Sequence, residues 1–109
     1  MPLPVVEITL VEHLTLEKVR LALDEAERTI LVANQADVLV ECRAMVGYDL
    51  DARGAFVEWN ARMRARIAHL AVLTDRPMWR LVVSGMALAS RQNMRAFANR
   101  PDALAWFDT

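Results

Sequence analysis

At 109 residues, 55% of them apolar, the chain has room for one domain and one core, and its apolar content leaves surface for a ligand or partner. A net charge of −1 excludes a general pull toward nucleic acid or anionic membrane, and no apolar run approaches the roughly 20 residues needed to span a bilayer. Cys42 is the one cysteine, which excludes a disulfide framework within the chain.

The charge is uneven: Met1 to Glu41 holds 8 acidic and 3 basic residues, and Cys42 onward holds 6 acidic and 10 basic. No basic segment followed by an apolar stretch opens the chain, so a cytoplasmic location is expected. In chain order, Val5 to Val11 reads as a strand with Val6, Ile8 and Leu10 on one side and Glu7 and Thr9 on the other. Thr15 is placed to cap a helix ending near Asn34, whose apolar stripe is Leu16, Val19, Leu23, Ala26 and Ile30. Val38 to Cys42 is a short apolar run of the kind found in a buried parallel strand. Asp49 or Asp51 can cap a second helix with the stripe Ala52, Ala55, Phe56, Trp59 and Met63, and Arg62, Arg64 and Arg66 are expected in its last turns, opposing the negative end of the helix dipole.

Leu70 to Leu73 reads as another buried strand. Thr74-Asp75-Arg76-Pro77 then has the form of a helix start, a capping side chain followed by a first-turn proline, and predicts a third helix to Ser90. Met94 to Phe97 is a final strand, and Asn99 and Pro101 open a last helix carrying Leu104, Trp106 and Phe107. The order βαβαβαβα predicts an α/β fold with a mostly parallel four-stranded sheet and helices packed on it, as one domain over residues 1–109.

Catalytic patterns are sparse. His13 and His69 lack metal-ligand spacing. Gly47, Gly54 and Gly85 are isolated, so no phosphate loop forms, and Ser84 and Ser90 sit within a helix rather than at a nucleophile elbow. No metal and no cofactor is expected. The polar residues at strand carboxyl ends, Tyr48-Asp49 and Thr74-Asp75-Arg76, stand where open α/β sheets bind ligands, although Asp49 and Asp75 also stand where helix caps belong. The third helix has two apolar stripes: Met78, Leu81, Val82 and Ala89, and Trp79, Val83 and Met86. A helix apolar on both sides is buried all round, covered by the last helix, or in contact with a ligand or another subunit.

The stretch Val38 to Asp49 resembles the central strand and following loop of SpoIIAA-like, STAS-type proteins. Ala55 to Asn60, Ala71 to Arg80, Met86 to Ser90, Met94 to Phe97 and Ala103 to Trp106 continue in that family's order. The resemblance implies a STAS/SEC14-like domain and two kinds of role, regulatory protein binding or binding of a lipid-like apolar molecule. Two departures stand out. Met45 to Asp51 contains no Ser or Thr, so no phospho-acceptor of the anti-sigma factor antagonist type is expected there, and only about one strand fits before Thr15 where the family opens with a hairpin.

These readings point to a non-catalytic binding module for a protein partner or a small apolar ligand, with Tyr48, Asp49, Asp75, Arg76, Trp79, Val83 and Met86 as its surface. The rival is an enzyme using Asp49 or Asp75 as acid or base and Arg43 or Arg76 as anion holder. Nucleic-acid binding through Arg62, Arg64 and Arg66 lacks interleaved aromatic residues. A symmetric homodimer is also expected, through Trp79, Val83 and Met86 or through the first strand's edge.

Overall fold

Alternation at the N-terminus makes a strand only as far as it lasts. In the computed structural model, which describes residues 2–109 and so leaves Met1 of the expected domain outside, β1 (Val5–Thr9) buries Val6 and Ile8 and turns Val5, Glu7 and Thr9 outward. The strand expected to reach Val11 stops there. Glu12 takes φ 59°, a left-handed value seldom adopted by a residue with a side chain, and opens a separate short strand, β2 (Glu12–Leu14). Thr15 caps α1 (Leu16–Ala33), its hydroxyl accepting from the Lys18 amide at 3.3 Å, and Val19, Leu23, Ala26 and Ile30 form the buried stripe.

After α1 come β3 (Ala36–Glu41), β4 (Met45–Tyr48), α2 (Leu50–Arg62), β5 (Ile67–Leu73), α3 (Pro77–Ser90), β6 (Met94–Phe97) and α4 (Arg100–Phe107). The main sheet has four strands, all parallel, in the order β1-β3-β5-β6. This is the four-stranded parallel sheet with four helices that the alternation predicts. The difference lies in β2 and β4, which pair with each other in parallel as a small second sheet. Two strands do precede α1, but they form no hairpin: one joins the main sheet and the other joins β4.

The strand order fixes where the helices go. When parallel strands are added one after another in one direction and each crossover is right-handed, all the connecting helices fall on one face. Accordingly α1, α2 and α3 pack together over Val6, Ile8, Val38, Val40, Leu70 and Val72. Only α4 serves the opposite face, where Ala103, Trp106 and Phe107 cover Leu39, Ala71 and Leu73. On that face His69 Nδ1 lies 2.8 Å from Asp37 Oδ1, and its ring meets Trp106 edge-on at 4.8 Å. The β1 end of the face carries Glu7, which pairs with Arg100.

α2 ends at Arg62, so Arg64 and Arg66 lie beyond the helix rather than in its last turns, and neither opposes its dipole as expected. Arg62 instead reaches Glu27 of α1 at 2.8 Å, Arg64 donates to the Ser90 carbonyl, and Arg66 to Asn34. The Glu27 carboxylate also accepts from Trp59 Nε1 at 3.1 Å, and the Arg62 hydrogen bond holds its carboxyl below the ordinary 4.5. Where α2, α3 and β6 meet, fully buried Asn60 donates to the Phe56 carbonyl at 2.9 Å and accepts from the Gln92 amide at 3.4 Å.

Candidate functional site

β1, β3 and β5 all end on one side of the sheet, and the chain beyond each stays buried as Leu10, Cys42 and Thr74. A single cavity opens there. Strand residues Val40 and Val72 form its floor, Phe56 and Val83 its inner wall, and Tyr48, Trp79 and Met86 its half-buried outer wall.

 Its volume is about 70 Å³, rising to about 540 Å³ when the empty space is counted out into solvent at its mouth. The exposed lining is carbon and sulfur. Cys42 belongs to it, and burial pushes that thiol up to about 12, so it is protonated and behaves as a small apolar group.

The rim is aromatic and cationic. Tyr48 and Trp79 meet edge to face with ring centroids 5.9 Å apart. The Arg53 guanidinium stands 5.8 Å from the Tyr48 ring, and that of Arg76 lies 4.4 Å from the Trp79 ring. Arg43, by contrast, is held by Glu41 through its Nε at 3.1 Å and Nη2 at 2.6 Å, an arrangement that lowers the Glu41 carboxyl below its ordinary range. It is not a free anion holder.

Of the residues singled out in the sequence, Tyr48, Trp79, Val83 and Met86 line this cavity and Arg76 borders it through Trp79. Asp49 and Asp75 do not line it, and neither side chain caps a helix. Asp49 does occupy the N-cap position of α2, but its carboxylate lies 2.7 Å from His13 Nε2 and makes no cap hydrogen bond. The N-cap of α3 is Arg76 rather than Thr74 or Asp75, and Asp75 is exposed. Neither strand-end acid therefore belongs to this cavity.

The stripes of α3 resolve the other way from the dimer expectation. Val83 is 4% exposed, and Trp79 and Met86 are half-buried against the core, so Val83 cannot make the contact with another subunit expected of it. The outward side holds Met78 at 71%, Leu81 at 68% and Leu88 at 83% exposure. Nor does the last helix cover either stripe, because α4 lies across the sheet from α3. Residues that the sequence reading missed, Leu10, Cys42, Arg53 and Phe56, share one signal: they sit just past a strand end or on the first turns of α2.

Among the described residues no helix is long and apolar enough to cross a membrane, and no group of three or more His, Cys, Asp or Glu side chains is placed to hold a metal ion. No curated protein matches the chain. One similar solved structure is an uncharacterised protein of the DUF3478 family with a SpoIIAA-like fold from Shewanella loihica PV-4. It superposes with a TM-score of 0.75 at 14% identity, over 93% of this chain and 82% of that one, a likeness of fold. The family model described as SpoIIAA-like matches residues 5–108, which takes in every strand and helix described above. With its parallel sheet, its four helices and nearly its whole length accounted for, the chain belongs to the SpoIIAA-like family.

Proposed function

We propose that the chain is a single-domain, non-catalytic binding module whose cavity at the strand carboxyl ends takes a small apolar molecule. The observation that carries this reading is the cavity itself, walled by Phe56, Trp79, Val83 and Met86 and set where open α/β sheets hold ligands. Its enclosed volume suits the end of a short alkyl chain, being smaller than the cavity of about 150 Å³ that accepts benzene, and the open mouth leaves room for the rest of the chain. No aspartate, glutamate or histidine lines it, and the Cys42 thiol is protonated, which supports binding without chemistry. The test is titration of ¹⁵N-labelled protein with 1-hexanol, following backbone amide shifts. Changes concentrated at Cys42 and Thr74 and reduced by Met86→Trp support the reading; shifts spread over the surface, or none, defeat it.

A second reading is favoured by the outward face of α3. Met78, Leu81 and Leu88 form an exposed apolar row, which supports contact with a protein partner, taken here as a second copy of the chain. Sedimentation at micromolar concentration tests it: a dimer that Leu81→Glu converts to a folded monomer supports this contact, and a wild-type monomer removes it.

A further inference from the structure

The walls of the cavity are apolar, but its rim is not neutral. Arg53 and Arg76 stand on the two aromatic rings that border the mouth, and neither takes part in an ion pair among the described residues. Of the acids nearest in sequence, Asp51 is exposed in the first turn of α2 and makes no ion pair with Arg53 or Arg76. Asp49 is held by His13 at 2.7 Å, and exposed Asp75 lies close enough to Arg43 to add to the hold of Glu41 on that guanidinium. α3 also begins at this rim, and its first turn carries no acidic residue and no side-chain cap. Its positive end therefore has no carboxylate within the first turn, Asp75 standing just before the cap position.

From this arrangement we infer that the ligand is an amphipathic anion, a small carboxylate whose apolar tail enters the cavity while its head stays at the rim between Arg53 and Arg76. The inference rests on the cavity being the binding site. Stacking on Tyr48 and Trp79 orients the two guanidinium groups, so less freedom is lost when they meet a carboxylate. The apolar wall sets the tail, and the rim sets the sign of the head. A cationic head of equal size meets the same tail site with repulsion from two arginines and from a helix N-terminus.

Three ligands with one tail separate these contributions: hexanoate, 1-hexanol and hexylammonium, titrated at low salt against the wild-type chain and against Arg53→Gln, Arg76→Gln and the double variant. Hexanoate is expected to bind about three- to tenfold more tightly than hexanol, the gain that partly exposed charge pairs give, with hexylammonium weakest. The ratio of hexanoate to hexanol affinity should fall toward one in the double variant and should shrink with added salt. Thermal unfolding by circular dichroism checks that each variant is folded. Equal binding of hexanoate and hexanol by the wild type overturns the anion assignment, and an advantage that survives undiminished in the double variant overturns the placement of the head between Arg53 and Arg76; either result leaves the apolar site standing. Failure of both hexanol and hexanoate to shift the lining amides removes the site and the inference together.

Discussion

Val83→Ala and Leu81→Ala make matched probes of α3, because they lie two positions apart on one helix and differ in burial, 4% against 68% exposed. Removing two buried methyl groups at roughly 0.8 kcal/mol each costs about 1.6 kcal/mol. The space left behind adjoins the ligand cavity, where the surroundings collapse poorly, and the residual void brings the total to about 2 kcal/mol. With a urea m-value of about 1.5 kcal/mol/M for a domain of this size, the Val83→Ala midpoint falls by about 1.3 M. Leu81→Ala should stay within about 0.5 kcal/mol of wild type, near 0.3 M in midpoint. Urea unfolding followed by far-ultraviolet circular dichroism measures both. A midpoint for Leu81→Ala as low as that of Val83→Ala, or no change in Val83→Ala, would refute the assignment of the inward face. The same burial means that Val83→Glu places a carboxylate in the core and reports on folding rather than on assembly.

Glu27 joins α1 to α2 through Arg62 and Trp59, so Glu27→Gln should destabilise by about 1 kcal/mol at neutral pH. Because its native pKa is lowered, this contribution is present above the ordinary 4.5 and is lost as pH falls through the native value. The gap between wild type and Glu27→Gln in urea titrations should accordingly close in acid; a constant gap from neutral pH down to acid would contradict it. Asn60→Ala leaves the buried Gln92 amide without its side-chain partner and opens a void, for a loss of about 2–3 kcal/mol by the same measurement; a loss under about 0.5 kcal/mol would show the contact to be dispensable. Cys42, buried with its thiol at about 12, should react with a thiol-directed reagent at pH 8 far more slowly in the native chain than in urea, and comparable rates would place it at the surface.

Long, strongly periodic segments were legible in the sequence. α1 reads from its stripe and the Thr15 cap, and β3 and β5 from runs that are apolar because both their faces are covered. β2 and β4 were not, since Glu12-His13-Leu14 and Met45-Val46-Gly47-Tyr48 are too short to show alternation and become strands only by meeting each other. The two stripes of α3 are equally apolar, so periodicity alone cannot say which faces inward; tertiary packing decides it. The expected cap failed at α2 for a related reason. Asp49 sits at the cap position, but His13, far away in the chain, takes its carboxylate. At the site, Tyr48 could be picked out because it follows a strand, and Trp79, Val83 and Met86 because they form one apolar stripe of α3. Arg53 could not, because an arginine on the first turns of a helix reads as a solvated charge until the Tyr48 ring is seen beneath it.

The main sheet contains no hairpin, and this bears on how the chain reaches its native state. Val40 lies opposite Val72, and Val38 opposite Val6, so each pairing waits on an intervening helix. Closing such loops comes before any contact offsets the lost entropy, which makes parallel sheets slow to form. The smallest segment able to hold itself together is a strand–helix–strand unit, and β3–α2–β5 supplies the one with both strands at the centre of the sheet. Native-state hydrogen exchange should follow this order. Amides at the outer strands β1 and β6 exchange through small local openings, while those of Val40 and Val72 exchange only when the whole domain unfolds.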